Sequence, residues 1–537
     1  MRMFAFLLIV AFQADGVSAD APVRPLDAAS RNASKTRIDG VRFVGAAQIP
    51  AADLTKEVAP WLHRDLSFDQ MHEMAGAVTS LYRRRGYMVA SAHLAAQTIR
   101  DNVLTITVAE GKLGDVRLRT NSSRVSDEQI LETLSLNLCG RATSCAGDPI
   151  HSADVERAGL LVSEIPGVKA QYELAAGQSP GTTDLLLDAI PTKRFNATVG
   201  ADNNGFALTG RNRGSLALSA SNLLNIGDFY SLSATYTGKG FFGFAFDGSA
   251  PLGNHGWRGG VTAGHVRYAL GREFAILGAT GVSDNAGVYA SYPVVRTLAT
   301  RLELRLDLIA KEIRSDIVTL SLRSRQRAQE GVLSISGSHV DKLFRLGSSQ
   351  VRLAFTGGEL QLRDPASRAF DAATARTDGS FGKFSYLVRR EELLAPGWTA
   401  FVQLSGQYAV TNLDSSEKFA LGGAQAVRAY ATGAAAADSA ALLTVETRFR
   451  VPERLSGRWE LMAAPFYDHA WATFNKQVWA GYVGPNKGQM AGAGVYASLA
   501  DPGRYSLRFT YANRQSTSRD VVPGSEDRVW LEAAAVF

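Results

Sequence analysis

Over its C-terminal two thirds the chain alternates apolar and polar side chains with a period of two, and no long apolar run interrupts the pattern. Leu302, Leu304, Leu306 and Leu308 fall on one face of an extended strand, and Arg301, Glu303, Arg305 and Asp307 on the other. Tyr505, Leu507, Phe509 and Tyr511 alternate with Ser506, Arg508 and Thr510. Val529, Leu531, Ala533, Ala535 and the terminal Phe537 repeat the pattern. A water-soluble sandwich would turn such apolar faces toward a second layer; here they are read as meeting lipid. In hydrocarbon every backbone N–H and C=O needs a partner within the protein, so alternating strands must close on themselves. The pattern predicts a transmembrane β-barrel over residues 192–537.

Ahead of the barrel the period changes. Arg2, the apolar run Phe4 to Phe12, and small residues at Val17, Ser18 and Ala19 read as a cleaved signal peptide over residues 1–19. The run is too short for a membrane helix, and no other segment reaches the roughly 18 apolar residues that one needs. With a barrel behind it, this leader predicts a bacterial outer membrane. A short segment, 20–36, precedes a first module over 37–111, expected as a strand at Ile38 to Val44, a helix at Ala52 to Leu62, and a second helix. Ser67 and Gln70 form a capping box for that second helix. Met71, Met74, Ala75, Val78, Leu81 and Tyr82 share one of its faces. Arg83, Arg84 and Arg85 suit the negative end of the helix dipole, and Gly86 its left-handed stop. Strands are expected at Tyr87 to Leu94 and Val103 to Val108. A second module over 112–191 repeats the order: a strand at Val116 to Leu118, a helix capped by Ser126 and Gln129, a helix at Ala153 to Val162, and strands at Val168 to Leu174 and Asp184 to Ile190.

Specific motifs sit on this frame. Tyr82-Arg-Arg-Arg-Gly86-Tyr87, Gln97 and Val108-Ala-Glu110-Gly111 resemble the polypeptide-transport-associated (POTRA) domain of two-partner secretion transporters. Ile165-Pro-Gly-Val168 and Gly181-Thr-Thr-Asp184 resemble the second such domain. Asp202-Asn-Asn-Gly205, Gly210 and Asn222-Leu-Leu-Asn-Ile-Gly227-Asp228 resemble the first hairpin of the same family's barrel, though Asn, Gly and Asp are also ordinary turn residues. The chain thus resembles the TpsB transporters, the ShlB/FhaC/HecB haemolysin secretion/activation family, within the BamA-like superfamily. The resemblance implies about 16 antiparallel strands behind two small α+β POTRA domains in the periplasm. Strands of about 9 to 11 residues leave room for that number.

The same resemblance points to Val427-Arg428-Ala429-Tyr430, which is similar to the Val-Arg-Gly-Tyr tip of the family's sixth extracellular loop. There the loop folds back into the barrel and its arginine meets an acidic residue on the inner wall, in a segment that Phe466-Tyr467-Asp468-His469-Ala470 resembles. Alternation independently puts Glu460, Met462, Ala464, Phe466 and Asp468 on one face, so Asp468 is expected to point into the lumen. Glu446 and Arg448 face inward too and are read as general lumen charge. Two departures stand out: Ala429 and Ala470 replace the family's glycines, and alanine is strained if the tip needs a positive φ. Many family members also carry a pore-plugging helix and a linker before the first module. Ala21 to Lys35, wholly helical, would span about 23 Å with nothing left for a linker, so a full plug is not expected.

Composition narrows the function. A formal charge of +6 over 537 residues is mild, and basic residues alternate with acids, which argues against nucleic acid as a partner. Cys139 and Cys145 are expected to pair in the oxidising periplasm, and so small a loop contributes about 2 kcal/mol. Two cysteines without neighbouring histidines fall short of a metal set, and no cofactor motif is present. Gly177-Gln-Ser179-Pro-Gly181 matches a nucleophile elbow formally, but a strand follows where a helix is required and Pro180 removes a backbone donor. No enzyme is expected. The resemblance implies export of a secreted exoprotein client across outer-membrane lipid, without nucleotide hydrolysis. The rivals are a barrel-assembly factor of the same superfamily and a passive porin.

Overall fold

The computed structural model describes residues 35–141, 144–238, 240–515, 521 and 527–537. The signal-peptide segment and nearly all of Ala21 to Lys35, where the plug question arises, lie outside the described residues. The chain divides into two compact units between Thr192 and Lys193.

In the first unit, the helix Phe68–Arg84 carries both hydrogen bonds of its capping box, and Met71, Met74, Ala75, Val78, Leu81 and Tyr82 are its buried face. It packs with Ile38, Leu54, Val58, Leu104, Ile106 and Val108 into one core. The expected strand at Ile38 to Val44 is broken. Thr36–Ile38 pairs with Arg64–Leu66, while Gly40–Val44 runs parallel to Val103–Ala109. The break falls at Asp39, whose backbone N–H donates to Asn102 O at 2.9 Å and whose carboxylate accepts from Asn102 Nδ2, also at 2.9 Å. The strand expected at Tyr87 to Leu94 shrinks to Ser91–His93, because Met88 and Val89 leave the sheet and pack on the second module's core. The Gln97 side chain takes over part of the ladder, donating to Thr105 O at 2.7 Å and accepting from Thr105 N at 2.8 Å.

The other motif residues have equally local reasons. Glu110 Oε1 accepts from Tyr82 Oη, Ala47 N and Gln48 N, each at 2.7 Å, fixing the loop before the helix Ala51–Val58. Burial and this neighbouring carboxylate push the Tyr82 hydroxyl above its ordinary range, so it remains a donor. Gly86 adopts φ +94°, and a Cβ there would lie 2.3 Å from His151 Nε2. That imidazole donates to Arg85 O at 3.0 Å, while its Nδ1 accepts from Ala153 N and caps the helix Ser152–Ser163. His151 therefore joins the two modules.

The second module's sheet has Thr182–Pro191 at its centre, parallel to Lys112–Asn121 and antiparallel to Val168–Ala176. Residues 177–181 form the turn of that antiparallel pair, with Gly177 N donating to Thr182 O, so the formal nucleophile elbow is a hairpin. Cys139 ends the helix Asp127–Cys139 and is bonded to Cys145, which is buried in the module's core.

The second unit is a closed barrel of 16 antiparallel strands, from Phe195–Asp202 to Arg528–Val536. Strand length is far from uniform: Phe195–Asp202 has 8 residues and Leu322–Asp341 has 20. At about 3.4 Å per residue and a tilt near 40°, these rise about 20 Å and 50 Å, so one side of the wall projects well past the hydrocarbon. Closure between the last and first strands spans Glu532 opposite Asp202 to Val536 opposite Thr198, the shortest pairing in the barrel among the described residues. The Asn203 side chain extends this seam like one further peptide unit. Its Nδ2 donates to Val529 O at 3.0 Å and its Oδ1 accepts from Leu531 N at 2.8 Å. Asn222 to Asp228 closes the turn after the second strand, where the buried Asp228 carboxylate accepts from Leu223 N and Leu224 N and Asn222 Oδ1 from Gly227 N.

Candidate functional site: a loop held inside the barrel

Residues 410–438, between the strands Trp398–Ala409 and Ser439–Arg450, fold into the lumen rather than away from the barrel. Small side chains on the inner wall make room for them. Leu421, Val427, Ala429 and Tyr430 are all fully buried against Ala440, Ala464, Ala470, Ala472 and Ala512. Ala470, where the family pattern has glycine, is part of this packing. Ala429 does not take up a positive φ among the described residues, so the strain considered from sequence does not arise. Its space comes from the wall: Gly492 stands opposite Asp468 in register, and a Cβ at Gly492 would lie 2.4 Å from the Ala429 Cβ. Gly494 does the same for the Phe466 ring, whose Cζ would be 2.6 Å from an added Cβ.

The strand Glu460–Thr473 turns Ala464, Phe466, Asp468, Ala470 and Ala472 inward. Arg428 grips Asp468 through two parallel bonds, Nε to Oδ2 and Nη2 to Oδ1, both 2.8 Å. Its own backbone N adds a third at 3.1 Å, and Thr444 Oγ1 a fourth at 3.0 Å. The guanidinium lies flat on Phe466, with Cζ 3.4 Å from the ring centroid. The Asp468 side chain is 0% exposed and that of Arg428 11%, so the charges have been taken out of water and depend on each other.

Glu446, read from sequence as general lumen charge, is in fact the second carboxylate of this site. Its Oε1 accepts from Arg428 Nη1 at 2.8 Å and its Oε2 from Arg448 Nε at 2.8 Å and Tyr496 Oη at 3.2 Å. Arg448 is likewise specific, passing on to Glu391 at 3.0 Å. Strand parity shows which face a residue occupies but not which one stands at the height of a returning loop tip, so the partnership was not legible.

Two further anchors hold the loop's base, and no sequence motif marked them. Glu417, 5% exposed in its side chain, pairs with Lys311 Nζ at 2.7 Å and Lys383 Nζ at 2.8 Å from two wall strands. Asp438, fully buried, pairs with Lys418 Nζ at 2.7 Å and accepts from Lys476 N and Leu413 N. The tip also touches both sides of the seam: Trp530 Nε1 donates to Arg428 O at 2.8 Å and Thr432 Oγ1 to Asn204 O at 2.8 Å.

With this geometry in hand, comparison places the chain among known proteins. Residues 36–111 match the family model of the ShlB-type POTRA domain, and residues 181–473 that of the haemolysin secretion/activation protein ShlB/FhaC/HecB. The heme/hemopexin transporter protein HuxB of Haemophilus influenzae is 25% identical over 494 residues, 91% of this chain and 85% of that relative. The outer membrane transporter CdiB of Escherichia coli is 27% identical over 196 residues, covering 36% of this chain and 32% of its own length. Among solved structures, CdiB from Escherichia coli superposes with a TM-score of 0.74 at 20% identity, over 96% of this chain and 93% of that one. BamA from Haemophilus ducreyi lacking POTRA domains 1–3 gives 0.53 at 13% identity, over 94% of this chain and 100% of that one. Its two POTRA modules, its 16-stranded barrel and the family match over more than half its length together show that the chain belongs to the ShlB/FhaC/HecB family of TpsB outer-membrane secretion transporters, with its POTRA domains in the periplasm.

Proposed function

We propose that this transporter takes an unfolded exoprotein at the edges of its POTRA sheets and passes it through the barrel without nucleotide hydrolysis, with the Arg428 loop as the movable obstruction. The observation that carries the reading is the bidentate Arg428–Asp468 pair buried inside the wall, a specific lock that a passive pore does not need. The sheets leave strands such as Val168–Ala176 paired on one side only. An extended client can add to such an edge through main-chain hydrogen bonds that tolerate many sequences. The mixed charge of Arg305, Asp307, Lys311 and Glu330 on the inner wall offers a polar path.

Coexpression with a candidate exoprotein tests this, with Arg428→Ala compared to wild type at equal levels of heat-modifiable barrel. Client in the medium with wild type and a sharp loss with Arg428→Ala is the expected result. If client release is indifferent to the protein while other barrels fail to assemble without it, the chain is an assembly factor. Steady conductance with no dependence on any client would make it a porin.

A further inference from the structure

The tall side of the barrel wall carries an outward-facing feature that neither the loop nor the seam uses. On the strand Thr300–Ile317, the lipid-facing positions run Leu302, Leu304, Leu306, Leu308 and Ala310, then change abruptly to Glu312, Arg314 and Asp316. From Leu302 to Ala310 the wall rises about 21 Å, close to the full apolar band of an outer-membrane barrel, and Arg314 stands about 10 Å above its edge. On the two strands that follow, the change begins one register row earlier, at Gln329 and Glu359, and on the preceding strand it is confined to Asp284. Ala286, Ala310, Gln329 and Glu359 form one row; Asp284, Glu312, Arg327 and Gln361 the next; and Val282, Arg314 and Arg325 the one beyond, with Arg363 N bonded to Arg325 O. Arg323 follows opposite Asp316.

This surface gathers five arginines within three adjacent strands and the residue after them, and two of them, Arg314 and Arg325, are directly opposite each other. Like charges in that position repel and destabilise a sheet unless something negative lies across them. The acids nearby offset only part of it. Glu312 is taken by Arg314 at 2.8 Å, Asp316 faces Arg323 at 3.8 Å, Asp284 lies 2.7 Å from His265 Nδ1, Glu359 accepts from Gln361, and Asp364 accepts from the backbone N of Arg325 at 2.6 Å rather than from its guanidinium. Among the described residues, Arg325, Arg327 and Arg363 have no carboxylate at ion-pair distance, and all three are exposed. The side chain of Arg323 is itself 78% exposed.

From this we infer that the outward row Arg325, Arg327 and Arg363, supported by Arg314 and Arg323, binds the phosphates of an anionic lipid in the outer leaflet. The guanidinium fork matches phosphate oxygens two at a time, and the row stands where headgroups, rather than acyl chains, meet the wall. The assignment rests on strand parity and register and is independent of the identity of the client.

The test uses the full chain in phosphatidylcholine nanodiscs containing lipid A, with retained lipid counted by native mass spectrometry. Heat-modifiable migration checks that each variant is folded. The triple variant R325Q/R327Q/R363Q is expected to lower lipid A retention about tenfold, and the corresponding lysine variant less, since charge remains while the fork is lost. The single substitutions give the same reading if the triple variant does not fold. Unchanged retention in the glutamine variants would overturn the assignment, as would equal retention of dephosphorylated lipid A. Displacement by inorganic phosphate at equal concentration would reduce the row to a free-anion site. Loss of client release with lipid retention intact would give the row to the client instead.

Discussion

Gly492→Ala is the sharpest perturbation the barrel offers, because it adds a single methyl group at a place where the loop has none to spare. The new Cβ would lie 2.4 Å from the Ala429 Cβ. Two such carbons rest at about 3.5 to 4 Å, so the loop tip has to retreat by about 1.3 Å. Arg428 is the adjacent residue, and its bonds to Asp468 start at 2.8 Å. A retreat of that size carries them to about 4 Å, beyond hydrogen-bonding distance. Breaking a buried pair of this kind costs about 3 to 5 kcal/mol, enough to shift the loop from overwhelmingly docked to substantially released. Planar-bilayer recordings of purified barrels read this directly, with Gly492→Ala and Arg428→Ala both expected to raise the open fraction. The decisive arm is the pair Gly492→Ala with Ala429→Gly, which removes the opposing methyl and should return conductance to the wild-type pattern. A silent Gly492→Ala, or a double variant no closer to wild type than the single one, would refute the account of how Ala429 is accommodated.

Two other predictions concern different parts of the chain. Glu417→Gln leaves Lys383 and Lys311 short of a carboxylate while Arg428 keeps both of its own, so protease cleavage within 410–438 should rise, by less than in Arg428→Ala, and the two effects should compound. In the second POTRA module, hydrogen bonds from Arg119 and Thr120 hold the Asp188 carboxyl below the usual range. Its stabilisation is therefore complete above the unfolded value near 3.9 and fades as the pH falls through the lower folded value. Urea midpoints of the periplasmic transition should be flat at neutral pH and decline on acidification below about pH 4, with part of that decline absent in Asp188→Asn.

How much of this was legible in the sequence depended on the range of each interaction. Period-two alternation reports only which way a side chain points, and for Leu302 to Leu308 or Phe466 and Asp468 that was sufficient. Capping is local, and Ser67 with Gln70 could be read directly. Lengths were poorly read, because nothing in the alternation of Leu322–Asp341 marks where lipid ends and a projecting wall begins except the switch to charge on its outer face. Tyr87 to Leu94 looked like a whole strand because Met88 and Val89 have strand-like side chains; their partners belong to another module. Glu446, Glu417, Asp438 and Gly492 were invisible as site residues for the same reason, since each acquires its role from a loop or strand distant in sequence. Arg428 lies in a contiguous motif, whereas the glycine that accommodates the alanine after it, Gly492, lies across the lumen on another strand.

The contacts of the loop tip with Trp530 and Asn204 have a mechanical consequence. They fall on the last strand and just past the end of the first, on the two sides of the shortest strand pairing in the ring among the described residues. A docked loop acts there as a splint across a break, and the free energy of docking and that of closing the ring become terms of a single equilibrium. By reciprocity, whatever loosens the join must weaken the docking by the same factor, and on the proposed export route a client that displaced the loop would also soften the perimeter. On that route the barrel would be least able to keep its circumference while carrying cargo.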